Sequence, residues 1–162
     1  MNQDDLNEAY RRTALIGGAM MTTLVMYAVV VLAIQSTRDP FAGFAPWEDD
    51  GSLRHLFLGL SVLQIVAIHI IRKRALPSAE SLGGATAVEP SDRSPLLARL
   101  VSISIVTFAI AESIAVLGLV LFLLNGDSTG FYMLLFLSFL GFVKFFPKYH
   151  QWEAWLQKQR MS

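Results

Sequence analysis

The chain has 162 residues, of which 54% are hydrophobic and 16% charged, and its formal net charge is zero. So large an apolar share exceeds what a soluble domain of this length can bury, and it points to a membrane. A neutral chain has no excess of cations for phosphates, which argues against a nucleic-acid partner; the lack of cysteine excludes disulfides, thiolate metal sites and cysteine nucleophiles.

Four apolar segments are long enough, or nearly so, to cross a hydrocarbon core of about 30 Å. The first runs from about Thr13 to Ile34. It is too long for the apolar core of a signal peptide and has no small-x-small cleavage site, so it reads as a retained span. The loop that follows, STRDPFAGFAPWEDDGS, carries Phe41, Phe44 and Trp47 among turn residues. These aromatics rest at the headgroup level or form an ordinary folded loop cap. The second span covers about Leu56–Ile71 and the connector after it, 75–96, is rich in Pro, Gly, Ser and Ala, as a mobile linker would be. The third span covers about Leu97–Leu124 and the fourth about Phe131–Phe146. The tail KYHQWEAWLQKQR, 148–160, places Trp152, Trp155 and Leu156 on one helical face, which suits an amphipathic helix at the lipid interface or docked on a partner.

The expected fold is therefore all-α, one integral membrane bundle of four transmembrane helices over 1–162. Arg11 and Arg12 precede the first span, Arg72, Lys73 and Arg74 follow the second, Arg93 and Arg99 precede the third, and Lys144, Lys148, Lys158 and Arg160 close the chain. The other two loops are poor in cations. Both termini are thus expected to be cytoplasmic, with a bacterial inner membrane as the expected setting. His55 and His69, fourteen residues apart on the second span, share a helical face. Haem ligation would need a matching pair on a second helix, and none exists. Lys144 lies a turn from Pro147 and is expected to snorkel to the interface.

Glu112 stands apart. It is the only charge between Arg99 and Asn125, about thirteen residues, or near 20 Å, from either end of its span. An acidic group at midplane costs about 2.5–3.5 kcal/mol. It must therefore be protonated, or ionised against a bound cation. Ser113 follows it, Ala109, Ala111, Ala115 and Gly118 let neighbouring helices approach, and the second span brings Gln64 at matching depth. A carboxylate, an amide and a hydroxyl suit a hard cation or a proton. Alternatively Glu112 is neutral and bonds Gln64 or a threonine, holding helices together.

AESIAVLGLVLFLL resembles the ion-carrying helix of the rotor-ring c subunit, the proteolipid of F- and V-type ATP synthases, and DRSPLLARL resembles that family's cytoplasmic polar turn. The likeness spans roughly Leu56–Gly126 and is closest over Arg93–Gly126, where Pro95 precedes Glu112 at the family's spacing. The first helix of the hairpin keeps only Gly59, Ser61 and Ala67 of the family's small-residue repeat, and two further spans flank it. The resemblance implies an ion site of Glu112, Ser113, Gln64 and the Ile110 carbonyl. Glu112, Gln64 and Ser113 would be the side-chain ligands of Na⁺, and members of that family without the extra oxygens carry H⁺ instead. It also implies a homo-oligomer or a larger ion-translocating membrane complex. No cofactor beyond such an ion is expected. The non-catalytic alternative is a four-helix assembly or accessory subunit with a structural Glu112. A lone carboxylate with no base, metal cluster or substrate motif gives an enzyme little to work with, and no catalytic residues are expected.

Overall fold

The structure, a computed structural model, describes residues 3–38, 40–45, 51–75, 95–146 and 149. Four helices make up nearly all of them: α1 (Gln3–Thr37), α2 (Ser52–Ala75), α3 (Pro95–Asn125) and α4 (Ser128–Phe145), with no strand among the described residues. Each is long and apolar enough to cross a bilayer, and a helix satisfies its own backbone groups where lipid offers no hydrogen bonds. The chain is in these terms an integral membrane protein. The spans expected at 56–71, 97–124 and 131–146 agree with α2, α3 and α4 to within about a turn. The tail helix expected at 148–160 lies outside the described residues except for Tyr149, and so does most of the connector.

α1 contains the apolar run expected at about Thr13–Ile34 and extends beyond it, starting at Gln3. The apolar run ends at Thr13, but the inward stripe does not. Leu6, Ala9, Tyr10 and Thr13 continue it at three- and four-residue spacing. Leu6 is buried against Leu100, and Thr13, fully buried, donates to the Ala9 carbonyl at 2.9 Å. Tyr10 meets Tyr149 edge-on at 5.4 Å between ring centroids.

α3 is the central helix, and α1, α2 and α4 each pack on it. α1 runs parallel to it: Leu6 clusters with Leu100, Gly17 faces Phe108, and Val31 clusters with Phe122. α2 and α4 run antiparallel to it. Ile68 packs in one cluster with Phe108 and Ala111, while Leu53 and Phe57 pack with Leu121. On α4, Leu134 lies beside Gly118, and the buried Ser138 donates to the Ala111 carbonyl at 2.6 Å. One end of the bundle thus gathers the starts of α1 and α3 with the ends of α2 and α4.

Small residues set the closest approaches. A Cβ on Gly17 would sit 2.8 Å from Phe108 Cε2, and one on Gly118 would sit 3.0 Å from Leu134 Cβ. Larger side chains there would separate α1 or α4 from α3. The outward faces of α1, α2 and α4 expose Val25, Val29, Leu63, Val66, Phe136 and Val143, as a lipid-facing surface requires.

At the opposite end the α1–α2 loop caps α3. The Phe44 and Ala45 amides donate to the Leu123 and Leu124 carbonyls at 2.8 and 3.2 Å, groups that the helix itself leaves without partners. Phe41 packs on Phe122 at 5.1 Å between centroids and edge-on to Phe44 at 5.3 Å. Of the two readings of this loop, the folded cap describes Phe41–Ala45, and Trp47 lies outside the described residues. Close contact needs glycine on both sides: Gly43 (φ 89°) abuts the Leu124 carbonyl, and Gly126 (φ 70°) abuts the Phe41 carbonyl. A side chain at either would be strained by its left-handed backbone and would collide with main chain. Gly126→Ala is therefore expected to cost about 1–3 kcal/mol. Gly59→Ala, in the interior of α2 with open space around it, should not destabilise and should gain up to about 1 kcal/mol of helix propensity. Thermal unfolding in detergent checks the pair, and equal melting temperatures for the two variants would contradict the cap.

Candidate functional site

Glu112 lies midway along the span Leu100–Asn125, at the depth where α1 brings Thr23 and Tyr27. Parallel packing sets this meeting, because α1 and α3 keep step from Leu6 and Leu100 onward. The Thr23 hydroxyl donates to Glu112 Oε1 at 2.7 Å, and the Tyr27 hydroxyl donates to the same oxygen at 3.1 Å. Thr23 Oγ1 also lies 2.6 Å from the Met20 carbonyl, an acceptor one turn back. Leu24 is buried beside this cluster with Phe108, Ala111 and Ala115, and Tyr27 packs against it. Glu112 is half-buried, and Oε2 takes no hydrogen bond among the described residues. No Lys, Arg or His pairs with it there.

The other residues expected to join Glu112 are engaged elsewhere. Ser113 Oγ donates to the Ile110 carbonyl at 2.8 Å, so two members of the expected ligand set bond each other. Gln64, on α2, is half-buried, and its Oε1 is out of solvent with no hydrogen-bond partner. No hydrogen bond joins Gln64 to Glu112. Among the described residues no three His, Asp or Glu side chains cluster as a metal centre would require, although a site of amide, hydroxyl and carbonyl oxygens needs no such cluster.

A threonine partner for Glu112 was legible in kind, and the structure names it as Thr23. Thr22, its neighbour, is exposed and donates to the Gly18 carbonyl at 3.0 Å. Tyr27 was not expected. The signal for it was present: Thr23 and Tyr27 are polar, four residues apart on one helical face, and at the depth of Glu112. The histidines stay clear of the site. Both are exposed on α2, and His55 Nδ1 lies 2.7 Å from the Gly51 carbonyl.

A second charged locus closes the end of the bundle that carries the α3–α4 turn. Arg54 forks onto Asp127, Nε to Oδ2 at 2.6 Å and Nη2 to Oδ1 at 2.8 Å, and Asp127 caps α4 by accepting from the Gly130 amide at 2.9 Å. This ties the start of α2 to the start of α4. Burial pushes the Asp127 carboxyl up, but Arg54 and the Gly130 and Thr129 amides outweigh it and hold the group below its ordinary value.

Comparison with protein-family models, with curated proteins and with solved structures finds no match for this chain.

Two predictions follow from these geometries. The Thr23–Glu112 contact joins helices, so Thr23→Val and Glu112→Leu should couple in a double-mutant cycle of thermal or denaturant unfolding, by about 0.5–1.7 kcal/mol. Additive effects would show that the contact contributes nothing. For Asp127, a depressed carboxyl stabilises the fold above its unfolded value and loses that contribution as pH falls through the folded one. Its share of the stability should hold from neutral pH to about 5 and decline below about 4. Asp127→Asn should be less stable at neutral pH and show a shallower acid decline, as read from melting temperatures across pH.

Proposed function

We propose that the chain is a non-catalytic four-helix membrane subunit, serving assembly or an accessory role, in which a neutral Glu112 clasps α1 to α3. The observation that carries this reading is the pair of hydroxyls from α1 on a single carboxyl oxygen. An ionised midplane carboxylate costs about 2.5–3.5 kcal/mol. Interhelical hydrogen bonds in membranes return about 0.6 kcal/mol each on average, and no cation pairs with Glu112 among the described residues. The neutral form is the less costly. The Thr23 hydroxyl is shared between Glu112 Oε1 and the Met20 carbonyl, and the Tyr27 hydroxyl donates to the same carboxyl oxygen. In this reading the bundle sits with both termini cytoplasmic, and its outward apolar faces meet lipid or other subunits.

A second reading keeps the likeness to the rotor-ring proteolipids, with Glu112 exchanging H⁺ or Na⁺ within a larger complex. Two observations favour it: Glu112 is only half-buried, and Gln64 offers an amide oxygen without a partner. For Na⁺ the Ser113–Ile110 bond would have to open and Gln64 would have to reach Glu112.

Labelling of Glu112 by a hydrophobic carbodiimide in native membranes, with and without Na⁺, separates the two. The structural reading expects slow labelling that Na⁺ leaves unchanged. It also expects Glu112→Gln to keep the wild-type melting temperature within a degree or two, since an amide preserves the hydrogen bonds, whereas Glu112→Leu lowers it. Labelling that Na⁺ suppresses would sink the structural reading and establish cation exchange.

A further inference from the structure

At the end of the bundle where α2 and α4 finish, two cations face one aromatic ring. Phe145 is buried, 7% exposed. Arg72 Cζ, from α2, lies 5.3 Å from its ring centroid, and Lys144 Nζ, from α4, lies 5.7 Å from it. Arg72 Nη1 also donates to the Phe145 carbonyl at 2.9 Å, which holds the guanidinium at the corner between the two helices. Its Nε and Nη2 have no hydrogen bond among the described residues. Lys73 and Arg74 extend α2 past this point, both exposed.

None of these four cations meets a carboxylate among the described residues. The ion pairs there are Arg12–Glu8 on α1 and Arg54–Asp127 at the other end. A ring face and a carbonyl orient charge but do not neutralise it, so among the described residues the positive charge of this corner is not offset. On α4, Leu140, one turn before Lys144, and the adjacent Val143 are exposed. The corner therefore offers fixed cations at the level where apolar helices end and an apolar wall beneath them. That is the complement of an amphiphile with an anionic head.

We propose that the α2–α4 corner holds the phosphate of an anionic membrane phospholipid. Arg72, through its free Nε and Nη2, and Lys144 make the direct contacts. Lys73 and Arg74 add flanking charge, and the acyl chains lie along Leu140 and Val143. A guanidinium presents paired donors that match phosphate oxygens, and an ammonium adds a point charge beside them. The apolar wall is what selects a lipid over free phosphate.

Native mass spectrometry of the full chain in detergent, incubated with phosphatidylglycerol or phosphatidylcholine, tests this. Phosphatidylglycerol is expected to be retained preferentially. Lys144→Gln should cut that retention about fivefold, the effect of one surface charge near anionic lipid, and Lys144→Arg should restore it. Arg11→Gln, an exposed cation on α1 at the same end, should leave retention unchanged. Melting temperatures of all three variants confirm that they fold. Equal retention of the two lipids would overturn the proposal. So would a loss in Arg11→Gln as large as in Lys144→Gln, which would indicate diffuse attraction, or displacement of the lipid by millimolar inorganic phosphate, which would indicate a free-phosphate site.

Discussion

A carboxyl group in the middle of a membrane helix has to find its hydrogen-bond partners inside the protein, and the packing of α3 is arranged around that requirement. Lipid supplies neither donors nor acceptors, and Glu112 is too far from either interface to reach water along its own helix. The partners come from α1, which must therefore run beside α3 with Thr23 and Tyr27 at the right depth and rotation. Gly17 permits the approach by letting Phe108 close on α1. Leu6 and Thr13 extend the same face and hold the register. The buried contacts along α1 are thus continuous with the polar one at its centre.

The same requirement governs the helix ends. The last carbonyls of α3 receive amides from the α1–α2 loop, the start of α4 is capped by Asp127, and the Phe145 carbonyl at the end of α4 is met by Arg72. Each of the three ends is closed by a group with more than a capping role. The loop is folded around Phe41, Asp127 holds Arg54 of α2, and Arg72 lies over the Phe145 ring. Capping and tertiary contact are therefore one set of interactions, and they join α2 to α4 at both ends. Among the described residues this leaves the Gln64 amide oxygen at mid-depth without a hydrogen-bond partner, and the cations beside Phe145 without a carboxylate.

The spans were legible because membrane crossing depends on length and composition, which are properties of a segment alone. The depth of Glu112 was legible for the same reason, since rise along a helix converts position into depth. Its partner helix was not. α3 is apolar nearly all round, so its sequence carries no preferred face to say whether Glu112 turns toward α1 or α2, and the amide on α2 looked as good a partner as the hydroxyls on α1. The start of α1 was missed because hydropathy stops at Thr13 while the three- and four-residue stripe of Leu6, Ala9 and Tyr10 goes on. The cap on α3 is made by backbone amides of Phe44 and Ala45, whose direction depends on the folded loop. Only Gly43 and Gly126 hinted at a close approach there, and two isolated glycines do not name each other.

The two readings of Glu112 differ less in chemistry than in geometry. Both need a carboxyl group at this depth, and the hydroxyls of Thr23 and Tyr27 serve either. A proton exchanger needs in addition a water path, and the half-buried Glu112 with its unbonded Oε2 is the place where one would reach it. A sodium site asks more. Ser113 and Ile110 satisfy each other, and opening that bond costs about 1 kcal/mol, which cation coordination would readily offset. The larger obstacle is direction. Glu112 is held by donors on α1, whereas Gln64 belongs to α2, so a shared ion would require Glu112 to leave both hydroxyls and turn around α3. Losing two interhelical hydrogen bonds and the alignment of α1 is a rearrangement of the bundle rather than a side-chain rotation. The hydroxyl clasp is thus part of the helix packing, and a sodium site at Glu112 would ask that packing to change.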